Sequence, residues 1–199
     1  LIGQQKIVNN MSEGETTFSP YDRVVKYLLP IIPKRLRPNH LTFVRLIFTP
    51  VLIVSLLLAM YRVSLVLFIV LALTDLFDGS IARLRNQITD WGKLWDPIAD
   101  KLLIGSVVTI LLLKINLILT ILLLTFELTF ILGGTFMHLN NVDVKANTWG
   151  KIKMNLQAFG AGFLILGFFL NLAVLVSGAE VLLYCSLFFA LISIFKKGI

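Results

Sequence analysis

Four aspartates stand where carboxylates are costly: Asp75 and Asp78 lie three residues apart, Asp96 and Asp100 four apart, and apolar runs flank both pairs. At helical spacing Asp75 and Asp78 share one face, and Gly92, Asp96 and Asp100, at i, i+4 and i+8, share one face of a second helix. An ionised carboxylate in an apolar medium persists only beside a cation, a metal or a water-filled cavity. Four such groups converging on one point repel strongly, and hard divalent cations with oxygen ligands resolve that repulsion. The pattern therefore predicts a site for magnesium or manganese, with two ions expected, and the chemistry is either metal-assisted catalysis or ion passage.

The elements that carry these residues follow from composition. The chain has 199 residues, 57% of them apolar, with a mean hydropathy of +0.89, which excludes an ordinary soluble domain. A span needs roughly 20 apolar residues to cross hydrocarbon about 30 Å thick. Spans are expected at residues 40–60, 63–84, 92–114, 116–138, 151–172 and 178–195. The expectation is an all-α integral membrane protein: a cytoplasmic N-terminal segment, 1–38, and a six-helix membrane domain, 39–199. Ser19-Pro20 opens a stretch, Tyr21 to Ile32, in which apolar residues mix with Asp22, Arg23 and Lys26, as in an amphipathic helix on the membrane surface. The first residue is not methionine, and no cleavable signal peptide is expected, which suits a chain trimmed from a longer one.

Depth turns the charge pattern into a structural claim. At 1.5 Å per helical residue, Asp75 lies about 18 Å and Asp78 about 22 Å from the outer end of the second span, and Asp100 about 21 Å and Asp96 about 27 Å from the outer end of the third. The short connection from Leu84 to Trp91 makes those two helices antiparallel neighbours. Gly79, Ala82 and Gly92 beside the aspartates allow a close approach, either by another helix or by a flat ligand such as a nucleotide base.

Of the 18 Lys and Arg, only Arg62 and Lys114 fall opposite the N-terminus, so the N-terminus, the aspartates and the region from Lys145 to Lys153 are expected on the cytoplasmic side of a cell membrane. The net charge of +7 suits anionic membrane lipids and phosphate substrates and requires no nucleic acid. Cys185, the only cysteine, permits no internal disulfide. Glu127 lies about 17 Å from the outer end of the fourth span, too deep for an idle carboxylate, and either pairing with Arg45 or Lys101 or contact with substrate would account for it.

The segment from Asp75 to Asp100 resembles the signature of the CDP-alcohol phosphotransferase family: D, two residues, DG, two residues, AR, about eight residues, then G, D and D at intervals of four. Asp75, Asp78, Gly79, Ala82, Arg83, Gly92, Asp96 and Asp100 meet every fixed position. Pro38-Asn39-His40-Leu41-Thr42, with Arg45 and Pro50, is similar to the family's first span. Asp96-Pro97-Ile98-Ala99-Asp100-Lys101, and Gly150-Lys151-Ile152-Lys153 with Gln157, resemble the phosphatidylglycerophosphate synthase branch. That branch commonly has Arg-Glu in the fourth span, where this chain has Phe126 before Glu127.

The resemblance implies displacement of CMP from CDP-diacylglycerol, or a related CDP-lipid, by the hydroxyl of a small phosphorylated alcohol, most simply glycerol 3-phosphate. It implies Asp75, Asp78 and Asp96 as metal ligands, and Asp100 as general base that also touches a metal. Arg83, with Gly79, Ala82, Gly92, Asn39 and Thr42, would bind the CDP moiety. Lys151, Lys153 and Arg45 would bind the acceptor's phosphate. Phosphatidylglycerol, as in cardiolipin synthesis, and inositol phosphate are the alternative acceptors. Family members are commonly homodimers, and Ala158, Gly160 and Gly162 are candidates for close helix packing. A cation or proton transporter is the competing class, but the outer halves of the spans are nearly free of charge, and a transport path should continue through them. A structural scaffold would leave the eight-position pattern without a cause.

Overall fold

The computed structural model describes residues 38–84, 90–139 and 148–197, with side chains over 40–75, 95–133 and 148–195. The expected surface helix at Tyr21 to Ile32 lies outside the described residues, as do the side chains of Asn39, Asp78, Gly79, Ala82, Arg83 and Gly92. The described chain is helical: α1 Pro38–Leu57, α2 Tyr61–Leu84, α3 Asp90–Leu112, α4 Leu117–Leu139, α5 Thr148–Leu170 and α6 Ala173–Lys197. Three of these contain stretches long and apolar enough to cross a membrane: His40–Leu57, Thr148–Leu170 and Ala173–Phe195.

Tight turns join the helices in pairs. At the end of α1 the Met60 amide donates to the Ser55 carbonyl at 2.8 Å and the Ala59 amide to the Leu56 carbonyl at 3.1 Å. This is the paired bonding of a Schellman cap, and Ala59 takes the left-handed position at φ 56°. Asn171, at φ 54°, does the same after α5, where the Leu172 amide donates to the Gly167 carbonyl at 3.0 Å. Asn tolerates that conformation because its side chain is short and polar. The cap lets α6 begin at Ala173, where residue 178 was expected. Asn116 caps α4 by accepting from the Leu119 amide at 3.0 Å, and its amide group donates to Glu180 at 2.8 Å, tying the start of α4 to α6.

The helices pack around α1 and α5. α1 lies against both α2 and α3, while α2 and α3 touch one another less than either touches α1. α5 packs on α2, α3 and, most extensively, α6, and α4 rests on α3 and α6. The apolar core joins Leu52 and Leu56 of α1, Leu71 of α2, Val107 and Leu111 of α3, Leu164 of α5 and Leu183 of α6. The outward surface is also apolar, with Ile118, Leu132, Val174 and Phe195 largely exposed, as suits helices surrounded by lipid. Two glycines of α5 permit close approach to α6. A Cβ on Gly160 would fall 2.9 Å from Leu183 Cγ, and one on Gly167 would fall 2.8 Å from Val176 Cγ2 and 3.1 Å from its backbone nitrogen. Gly162 instead faces Phe68 of α2, so these small residues serve packing within the chain.

Candidate active site

The buried face of α1 changes character along its length. Leu52, Ser55 and Leu56 fill its C-terminal half, and Thr42, Arg45 and Thr49 form a polar stripe at three- and four-residue spacing in the N-terminal half. Arg45 is fully buried, and its position between α2 and α3 brings the three aspartates with described side chains to one guanidinium. Its Nη1 donates to Asp75 Oδ1 at 2.7 Å and also to Asp100 Oδ1, and Nη2 lies 3.8 Å from Asp96 Oδ1. Thr42, one turn earlier, donates its hydroxyl to the same Asp96 oxygen at 2.5 Å. The Thr49 hydroxyl turns back to the Arg45 carbonyl at 2.7 Å and leaves the arginine side chain to the acids.

The carboxylates are not sealed in. The side chains of Asp75 and Asp96 retain 38% and 36% of their exposure, whereas that of Arg45 retains none. The cation thus closes the inner side of the cluster, and the acids open outward to a ligand. Arg45, an expected ligand of the acceptor's phosphate, stands among the aspartates, and Thr42, an expected ligand of the CDP moiety, holds Asp96.

A second polar group sits between α4 and α5. Lys153, almost fully buried, forms an ion pair with Glu127, whose Oε1 also accepts from Gln157 Nε2 at 3.0 Å. The lysine nitrogen stands 4.3 Å from the centroid of the Phe130 ring, a cation–π contact. Glu127 therefore pairs with α5, in place of the Arg45 or Lys101 expected from sequence. The signal was present: Lys153 and Gln157, at i and i+4, face one side of α5. Lys151, on the other side, is exposed. A cleft lined by Asp100, Lys101, Gly105, Glu127, Met154 and Gln157 joins the two polar groups.

The donor set suits a hard divalent cation. Asp75, Asp96 and Asp100 offer only carboxylate oxygens, and two of them, from different helices, already share one cationic nitrogen. Among the described residues, no three acidic, histidine or cysteine side chains stand in the arrangement of a formed metal site.

The chain is similar to curated proteins that share one name. A curated relative from Rickettsia felis named CDP-diacylglycerol--glycerol-3-phosphate 3-phosphatidyltransferase is 41% identical over 139 residues, covering 65% of this chain and 75% of its own length. Proteins of the same name from Rickettsia prowazekii and Aquifex aeolicus are 39% identical over 135 residues and 36% over 118, covering 65% and 57% of this chain and 75% and 66% of theirs. Residues 35–192 match the CDP-alcohol phosphatidyltransferase family model across α1 to α5 and most of α6, and the chain belongs to that family.

Proposed function

We propose that this integral membrane enzyme transfers a phosphatidyl group from CDP-diacylglycerol to glycerol 3-phosphate and releases CMP, a step of phospholipid synthesis. The observation that carries the reading is the meeting of Asp75, Asp96 and Asp100, from two helices, at one buried cation, in a chain 41% identical to a relative bearing that activity in its name. All six helices span the membrane in this reading, with the aspartates and the N-terminal segment toward the cytoplasm, where the basic residues concentrate. A lipid donor then arrives within the leaflet and a soluble acceptor from the water.

Asp100 takes the proton of the acceptor hydroxyl as that oxygen attacks the lipid-side phosphorus; the bond from phosphorus to the CMP oxygen breaks, and CMP departs with the electron pair. In this reading the acceptor would approach Asp100 along the cleft toward Glu127 and Gln157, which Ile104, Val108, Leu123 and Leu124 also line. Lys153 binds the acceptor's phosphate from a position fixed by Glu127 and Gln157, and Lys151, exposed on the other side of α5, would draw the anion to the helix start from solvent. Arg83, Gly79, Ala82, Gly92 and Asn39 are assigned to the CDP moiety on the family pattern. Magnesium or manganese, as a pair held by Asp75, Asp78, Asp96 and Asp100, would supply positive charge against the diphosphate. Two copies of the chain would associate through lipid-facing helices, since Gly160 and Gly162 are used internally.

An acceptor panel tests the assignment. The full chain in detergent, given CDP-diacylglycerol, is expected to release CMP with glycerol 3-phosphate and not with phosphatidylglycerol or inositol phosphate. Turnover with either of the latter alone would move the chain to another branch.

A further inference from the structure

The cleft beside Asp100 is polar at one end only. Asp100, Glu127 and Gln157 stand at that end, and Ile104, Gly105, Val108, Thr109, Leu123 and Leu124 carry it along α3 and α4 toward the C-terminal end of α3. Such walls do not suit a phosphate, which would lose its water there without gaining a partner. The packing explains why the space exists. α4 rests on α3 and α6 and meets α5 through side chains, with Glu127 paired to Lys153 and bonded by Gln157. A Cβ on Gly105 would find nothing within 4 Å. Val108 and Leu123 are buried in the walls, whereas Leu124 is 41% exposed, so the cleft reaches the lipid-facing surface of α4.

Length and depth decide the occupant. From Asp100 to Thr109 helix α3 rises about 13 Å, close to the hydrocarbon depth of one leaflet at about 15 Å. With α3 spanning the membrane, Asp100 lies about 21 Å from the outer end of its span, so a donor phosphorus beside it stands below headgroup level and its chains must run along the outer half of the bundle. During the displacement the acceptor and CMP oxygens occupy the line of attack, and the diacylglycerol oxygen stays on phosphorus and leaves it sideways. We propose that the apolar part of the cleft seats one acyl chain of the CDP-lipid donor and holds the donor's phosphorus in register with Asp100. Surrounding lipid is as apolar as the walls, so the chain gains little affinity by entering. What it gains is orientation, which is read in turnover. This rests on the CDP-lipid reading above, and the test separates the two.

Donors of two chain lengths, CDP-dioleoylglycerol and CDP-dihexanoylglycerol, are presented to the full chain in the same detergent micelles, and CMP release is followed. Thr109→Phe closes the far end of the groove, and Gly105→Phe fills its middle. In Thr109→Phe, kcat/KM for the dioleoyl donor is expected to fall roughly fivefold or more, while the dihexanoyl donor, whose chains stop short of that residue, changes by less than about twofold. KM for glycerol 3-phosphate should stay near wild type. Gly105→Phe should reduce turnover of the dioleoyl donor at least as much. Equal loss with both donors, no loss with either, or a rise confined to the acceptor's KM overturns the chain site and leaves the CDP-lipid reading standing. Absence of CMP release by wild type with both donors overturns that reading. Should Thr109→Phe not survive purification, Gly105→Phe decides on the same ratio between donors.

Discussion

Glu127 of α4 and Lys153 of α5 form an ion pair inside a helix bundle whose surroundings are apolar, and Gln157 donates to the same carboxylate at 3.0 Å. Breaking an enclosed pair from one side leaves an uncompensated charge, which costs far more than the pair contributes. Lys153 retains 6% side-chain exposure and Glu127 22%, so the acid has some access to solvent and the base has little.

Glu127→Ala should therefore lower stability by about 2 to 3 kcal/mol, short of the figure for a fully enclosed pair, as read by thermal melting in detergent. Lys153→Ala should raise KM for glycerol 3-phosphate at least tenfold, by roughly 1.4 kcal/mol or more of lost phosphate binding, while KM for the CDP-lipid stays near wild type. Parallel increases in both constants would place Lys153 outside the acceptor site.

Thr42→Val keeps the shape of α1 and deletes the hydroxyl that holds Asp96. A group that orients a ligand typically matters by about 10- to 100-fold. The expected result is a loss of activity of about tenfold with melting temperature nearly unchanged, measured by CMP release alongside a thermal scan.

Gly167→Ala tests the α5–α6 hairpin. The added methyl would stand 3.1 Å from a backbone nitrogen that the cap at Asn171 fixes in place. Overpacking of this kind costs about 1 to 3 kcal/mol. Gly105→Ala, where nothing lies within 4 Å, is the matched control and should leave stability unchanged.

Chelation of divalent cations should stop CMP release, and magnesium or manganese should restore it, because ligands confined to carboxylate oxygens favour hard ions. Unchanged turnover in excess chelator would remove the metal from the account.

The aspartates were legible in the sequence because charge inside an apolar run is an anomaly whose spacing reads directly as a helix face. The helices were legible for the same reason, since a bilayer fixes both their length and their composition. Partner choice was not. Arg45 was visible as a cation in the first span, but its contacts with Asp75 and Asp100 depend on α1 packing against both α2 and α3, which no local pattern encodes. Glu127 was visible as a buried acid, but its partner was not, because Lys153 and Gln157 reach it across from α5, a meeting that no local pattern encodes. The start of α6 was placed late because a left-handed asparagine turns the chain within two residues.

Transfer itself is the most direct test. Glycerol 3-phosphate labelled in its carbon skeleton, incubated with CDP-diacylglycerol and the full chain, is expected to enter chloroform-soluble lipid in a one-to-one ratio with CMP released. Asp100→Asn is expected to bind the CDP-lipid and transfer nothing. CMP release without label in the lipid, or full transfer by Asp100→Asn, would contradict the account.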